Sequence, residues 1–217
     1  MIRLENVSLI YDLQKEQPTY ALAQIHLEIK PQTFYGILGP SGSGKSSLLY
    51  IIGGVMNPTT GKVYYKGESL YEMDEERRAA IRLKEFGFIF QQHLLLPYLD
   101  VIQNVLVPLN TYNQESIDRA KVLLHQLGLE KEIHKKPNQL SGGQCQRVAI
   151  ARALINNPKV ILADEMTASL DYEAAKKVLR LFDEIRKEAT VLFVTHDKRM
   201  IEHADETINL WDGKLGE

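Results

Sequence analysis

The sequence predicts an α/β protein: a mostly parallel sheet, an antiparallel β subdomain at its edge and an inserted helical subdomain. Three observations carry this expectation. The runs "TFYGILG", "FGFIFQ", "KVILADE" and "TVLFVTH" are almost continuously apolar, as strands buried on both faces are. "RLENVSLIY", "LAQIHLEIK" and "KVYYKG" half-alternate between apolar and polar residues, the pattern of a sheet with one wet face. Between residues 92 and 157 the pattern is mostly helical.

Taken in order, the first two half-alternating runs open the chain and "KVYYKG" rejoins them after the first helix. "TFYGILG" leads into the glycine-rich "GPSGSGKS", and "KSSLLYIIGG" has the apolar spacing of a helix. "FGFIFQ" precedes the helical stretch, and "KVILADE" and "TVLFVTH" follow it. The whole chain, 1–217, reads as one domain. Its core takes approximately residues 1–91 and 158–217, and the subdomain takes 92–157.

At 217 residues the chain is long enough for one sizeable core, and 44% apolar with 25% charged residues is ordinary for a soluble protein. A formal net charge of −2 gives no reason to expect nucleic acid as a partner. The one cysteine, Cys145, excludes an internal disulfide. It falls at a helix start, where the dipole lowers a thiol pKa. "MIRLENVSLIYD" is charged and strand-like rather than a signal peptide. The most apolar region, "HLLLPYLDVIQNVLVPL", is broken by Pro97, Asp100, Gln103, Asn104 and Pro108, so no membrane span is expected.

The chemically suggestive residues follow the four apolar runs directly: Gly39, then Gln91, then Asp164 with Glu165, then His196. In open α/β sheets ligands bind beyond the carboxyl ends of the strands, so four segments converge on one crevice. "GPSGSGKS" matches G-x-x-x-x-G-K-[ST] at Gly39, Gly44, Lys45 and Ser46. Its glycines let backbone N–H groups curl around phosphate, Lys45 supplies charge to the β- and γ-phosphates, and Ser46 offers a hydroxyl to Mg²⁺. Asp164 suits a Mg²⁺ ligand and Glu165 a group that orients or deprotonates water. Gln91 is placed to bind Mg²⁺ or that water, with its neighbour Gln92 leaving a one-residue ambiguity. His196 is placed to donate to the γ-phosphate. Tyr11, ending the first strand, is a candidate to stack on adenine. Singly, each has a plainer reading as a glycine turn, an acidic turn or a structural side chain; their joint placement favours the site.

A second glycine pair begins at Leu140, in "LSGGQCQRV". Together these motifs resemble the ATP-binding subunits of ABC transporters, in the order of that family. The Walker A loop "GPSGSGKSS" covers Gly39, Pro40, Ser41, Gly42, Ser43, Gly44, Lys45, Ser46 and Ser47. The glutamine loop follows at Gln91, then the signature at Leu140, Ser141, Gly142, Gly143 and Gln144. The Walker B strand "VILADE", the D-loop at Ser169, Leu170 and Asp171, and the switch histidine His196 complete the set. "QRVAIARAL" and "ILADEMTASLD" look like the lipoprotein-release, macrolide-efflux and cell-division group. "FIFQQHLLLPYLDVI" and "THDKRM" look more weakly like haem-efflux ATPases.

The resemblance implies an ATPase using ATP and Mg²⁺. It also implies a head-to-tail homodimer in which Ser141, Gly142 and Gly143 of one copy cover the γ-phosphate held by the other. A helix N-terminus brings about half a positive charge there. The implied second partner is a membrane permease docked near residues 91–109, which would hold the protein at the cytoplasmic face. The alternative role is signalling of the cell-division type, without transport. Read as it stands, the chain ends soon after "LWDGKLGE", and no C-terminal regulatory domain is expected. Three departures stand out: Met166 replaces a usual proline, Cys145 replaces a usual polar residue, and "KPQTFYG" lacks the usual Gly-Glu pair.

Overall fold

In the computed structural model, residues 1–12, 19–109, 111–166, 170–195, 202 and 204–216 are described, with the Tyr172 side chain excepted. Strand β1 (Ile2–Tyr11) pairs antiparallel with β2 (Thr19–Ile29) and with β4 (Thr60–Tyr65), which pairs in turn with the short β5 (Glu68–Ser69). These four make one sheet, in the order β2-β1-β4-β5. The three half-alternating runs of the sequence are its three long strands.

The four apolar runs become β3 (Phe34–Leu38), β6 (Phe86–Ile89), β7 (Val160–Asp164) and β8 (Thr190–Val194). They lie parallel in a six-stranded sheet of order β10-β9-β3-β8-β7-β6. Every residue of β7 and β8 is buried, which is why both are apolar throughout. The register sets Ile89 beside Ala163, Asp164 beside Val194 and Ile37 also beside Val194. The carboxyl ends of β3, β6, β7 and β8 therefore finish together, as the sequence requires of a converging site.

The sequence reading did not single out β9 (Glu206–Trp211), which runs parallel to β3, nor its hairpin partner β10 (Lys214–Leu215). β9 alternates exposed and buried residues after its first two and so lacks the continuous apolar run of its neighbours.

Helix α1 (Lys45–Ile52) follows β3, and α2 (Glu75–Glu85) precedes β6. Helices α3 (Val101–Leu106), α4 (Gln114–Gln126) and α5 (Gly142–Leu154) lie between β6 and β7, with a single 3₁₀ turn at Pro137–Gln139. α6 (Tyr172–Ile185) joins β7 to β8. Most carry side-chain caps: Asp74, Asp100, Asn113, Ser141 and Asp171 each accept from an N–H of the first turn.

Two apolar cores lie on opposite faces of the large sheet. Ile161, Ala163, Val191 and Phe193 pack with α3, α4, α5 and α6. The alternate residues Val160, Leu162, Leu192 and Val194 pack with α1 and the antiparallel sheet. Among the described residues, no helix is long and apolar enough to cross a membrane.

Candidate nucleotide site

Between β3 and α1 the chain turns through Gly39 at φ 151° and Gly44 at φ 99°. A Cβ would stand 2.0 Å from the Leu210 carbonyl oxygen at Gly39 and 2.1 Å from that of Ala21 at Gly44. Only glycine fits either place. Gly44 is also the N-cap of α1, and it offers no side chain to the first-turn amides. Those N–H groups are left for an anion.

Lys45 is almost fully buried, and its Nζ donates to the carbonyls of Gly39 (3.0 Å) and Pro40 (2.7 Å). Burial pushes its pKa down, while Glu165 and Asp164 oppose the shift. The ammonium is thus held at the loop by its own carbonyls before any phosphate arrives.

Ser46 Oγ donates to Asp164 Oδ1 at 3.0 Å, across 118 residues of sequence, and Tyr50 Oη donates to Asp164 Oδ2 at 3.0 Å. Burial, reinforced by the carboxylate, pushes the Tyr50 phenol up to about 12, so it keeps its proton at neutral pH. One residue beyond β7, Glu165 takes a left-handed backbone (φ 46°), and its N–H donates to the Val194 carbonyl at 3.0 Å. Its Oε2 accepts from Gln91 Nε2 at 3.2 Å. Through that contact Gln91 joins the ends of β6 and β7.

The donors gathered here are a hydroxyl, two carboxylates and an amide oxygen, a set that suits a hard divalent cation. Among the described residues, no three His, Cys, Asp or Glu side chains form a metal cage. The set fits a cation held jointly by protein and phosphate, as Mg²⁺ usually is.

Tyr11 is exposed at the end of β1, and its hydroxyl reaches Met56 Sδ at 3.5 Å. His196 and Ser169 lie outside the described residues. Leu170 packs against the helical core, and Asp171 caps α6 by accepting from the Ala174 N–H at 2.8 Å. Met166, in place of the usual proline, is 1% exposed and packs in the same core.

The second glycine pair opens α5. Ser141 Oγ accepts from the Gln144 N–H and Gln144 Oε1 from the Ser141 N–H, a reciprocal capping box. Leu140 packs on the core, whereas Gly142 is exposed and a Cβ there would meet nothing within 4 Å. Cys145 corrects one expectation. Its thiol is buried, lies 3.7 Å from the Pro137 carbonyl oxygen, and is pushed up by burial rather than down by the helix.

Residues 94–109 divide between two environments. Val101, Ile102, Val105 and Leu106 belong to the core. Leu94, Val107 and Pro108 line a largely apolar groove of about 540 Å³, with Val55, Phe88 and Phe90. Buried Asn104 holds the intervening loop. Its Oδ1 accepts from the Leu96 N–H, and its Nδ2 donates to the carbonyls of Leu96, Leu99 and Asp100. Arg152 of α5 donates to the carbonyls of His93 and Leu94 at 2.8 and 2.7 Å. A separate hollow of about 430 Å³ between α4 and α6 lies by Lys159, at the opposite end of β7 from Asp164.

Sequence reasoning gave no role in the site to Tyr50 or Arg152 and read Asn104 only as a break in an apolar run. For Tyr50 a signal existed, since it stands four residues after Ser46 and shares its helix face.

The family model described as ABC transporter matches residues 22–168. A lipoprotein-releasing system ATP-binding protein, LolD 1, of Chlorobium chlorochromatii is 41% identical over 99% of this chain and 90% of its own length. A macrolide export ATP-binding/permease protein, MacB, of Haemophilus ducreyi is 42% identical over 99% of this chain, which corresponds to 31% of that longer protein. Among solved structures, the ATP-binding cassette MJ0796 of Methanocaldococcus jannaschii, dimeric and bound to ADP and Pi, superposes with a TM-score of 0.94. It is 40% identical over all of this chain and 97% of its own.

Proposed function

This chain belongs to the ABC transporter family, as an ATP-binding and ATP-hydrolysing subunit that works as a dimer and powers a membrane permease, and from that premise we propose how its residues divide the work. The carrying observation is the meeting of Lys45, Ser46, Asp164, Gln91 and Glu165 at the carboxyl ends of β3, β6 and β7.

Residues 39–47 wrap the triphosphate. The free amides of the loop and of α1 bind phosphate oxygens, and Lys45 exchanges its carbonyl partners for the β- and γ-phosphates. Ser46 and Asp164 hold Mg²⁺, which when bound neutralises charge on the phosphates. Glu165 accepts a proton from the attacking water, and Gln91 positions it. His196 donates to the γ-phosphate, and Tyr11 stacks on the adenine.

The turn 140–144 serves the second copy. Gly142 faces open space within its own chain, so the need for glycine comes from outside it. In the head-to-tail dimer, Ser141, Gly142 and Gly143 close over the γ-phosphate held by the partner copy, with the D-loop Ser169, Leu170 and Asp171 alongside. Hydrolysis removes that bridge and releases the dimer. Residues 92–157 act as the subdomain that carries both this turn and the groove receiving a permease helix. That attachment keeps the protein on the cytoplasmic face of the membrane. The names of the relatives, for lipoprotein release and macrolide export, favour transport over signalling.

The test mixes two inactive homodimers, Lys45→Ala and Ser141→Arg. If the signature acts across the dimer, a mixed dimer keeps one site with intact Lys45 and intact Ser141, and mixing restores hydrolysis. If the two act within one chain, every chain carries a lesion and nothing is restored. Heterodimer formation and a one-site control of known activity complete the experiment.

A further inference from the structure

Asp164 is 2% exposed, and each of its carboxylate oxygens has its own donor from α1. Ser46 takes Oδ1 and Tyr50 takes Oδ2, both at 3.0 Å. Rotating the carboxylate away from this plane breaks two hydrogen bonds to a charged acceptor, each stronger than a neutral one. Ser46 is already committed to the nucleotide site. Were Ser46 to turn to a cation, Tyr50 would be the donor left on Asp164.

The ring of Tyr50 has neighbours of its own. It packs against Phe90, with centroids 6.0 Å apart and planes at 54°. Phe90 stacks on Phe88 at 5.6 Å and 7°, and Phe88 on Phe86 at 6.3 Å. The text "FGFIF" produces this series, because phenylalanine at every second position puts the three rings on one face of the strand. Gly53, at the end of α1, leaves the space; a Cβ there would lie 2.3 Å from the Phe88 ring. Phe88 and Phe90 also line the apolar groove. Phe86, which lines the groove too, completes the row, and at its other end Phe90 meets the ring of Tyr50, whose hydroxyl holds the buried carboxylate.

We propose that Tyr50 is a positioning residue for Asp164, and that the Phe88–Phe90 stack makes its position answer to the permease segment seated in the groove. The proposal rests on the assignment of Asp164 to the metal of the nucleotide site. Tyr50 touches no reacting atom; it fixes the orientation in which Asp164 meets the cation. Groups that orient a metal-binding carboxylate are worth about 10–100-fold in metal affinity.

The test measures binding rather than turnover, with Mn²⁺ as the probe cation. Affinity for ATP is titrated with and without Mn²⁺ in the full chain, and bound Mn²⁺ is counted by electron paramagnetic resonance. Tyr50→Phe keeps the ring and removes the hydroxyl. It is expected to weaken Mn²⁺-dependent ATP binding about tenfold while leaving metal-free ATP binding unchanged. Phe90→Leu, which keeps the hydroxyl and removes the stack, is expected to give a smaller loss of the same kind. Tyr50→Phe with parental Mn²⁺ dependence, or with equal losses in both conditions, overturns the positioning role. Phe90→Leu with no effect overturns the link to the groove. Asp164→Asn separates the two levels of argument. If it alone abolishes Mn²⁺ dependence, the metal assignment stands and the Tyr50 proposal fails. If it too has no effect, the assignment itself fails.

Discussion

Glu165 occupies a left-handed backbone position that non-glycine residues seldom adopt, and it does so next to a fully buried strand. The turn aims its side chain back toward Gln91 instead of onward along the chain. Glu165→Gln conserves size and removes the base. It should therefore bind ATP normally, lose hydrolysis, and accumulate as dimer in ATP, as light scattering would show; a purely monomeric variant in saturating ATP would contradict the assignment. Gly142→Ala separates folding from function in another way. Open space surrounds the position, and alanine is the better helix former by up to about 1 kcal/mol. Its melting temperature should hold or rise while ATP-driven dimerisation is lost. Cys145 should react slowly with a thiol reagent near pH 8 and quickly in denaturant, since burial keeps its thiol protonated. The sequence revealed the helix start around Cys145 but not the packing that buries it, and at that residue the burial wins.

Among the elements, legibility followed burial. β7 and β8 are covered on both faces, so their sequences are apolar at every step and nothing competes with the strand reading. α2 buries none of its residues fully: Ile81 packs partly buried on the core, Asp74 caps the first turn, and Glu75 pairs with Arg78 and Arg82 at the surface. A helix that sets a single half-buried isoleucine on the core leaves little apolar stripe to find. The loop after β6 hid for another reason: its apolar residues look like core, yet only part of it packs there, and Asn104 ties it through the Leu96 N–H and the carbonyls of Leu96, Leu99 and Asp100. Replacing Asn104 by alanine leaves several buried polar groups without their partner. A loss of about 2–3 kcal/mol in urea unfolding is expected.

For the whole molecule, the nucleotide site and the groove are separate surfaces joined through β6 and α5. Leu94 and Val107 line the groove, and Arg152 fastens the backbone at Leu94 to the helix that begins at Gly142. Val107 is 45% exposed, so Val107→Arg should fold normally and bind ATP normally. Membrane association of that variant, measured by co-sedimentation with permease-containing membranes, should fall sharply; undiminished association would place the permease elsewhere. The meeting of Lys45, Ser46, Gln91, Asp164 and Glu165 was legible from the sequence, because each stands within a few residues of the end of an apolar strand; the turn 140–144, on α5, was legible by its motif alone. The groove was only half legible, since four separate segments of the chain build it.

The large sheet divides two cores that share its strands. Val160 and Leu162 belong to one side, Ile161 and Ala163 to the other, and β8 divides in the same way. Neither side can melt while the other keeps its inner wall. In native-state hydrogen exchange, then, the amides of Val160–Asp164 and Thr190–Val194 should be the slowest to exchange, opening only when the entire chain unfolds. The deuterium clock would read the carboxylate-bearing strand as the last part of the protein to let go.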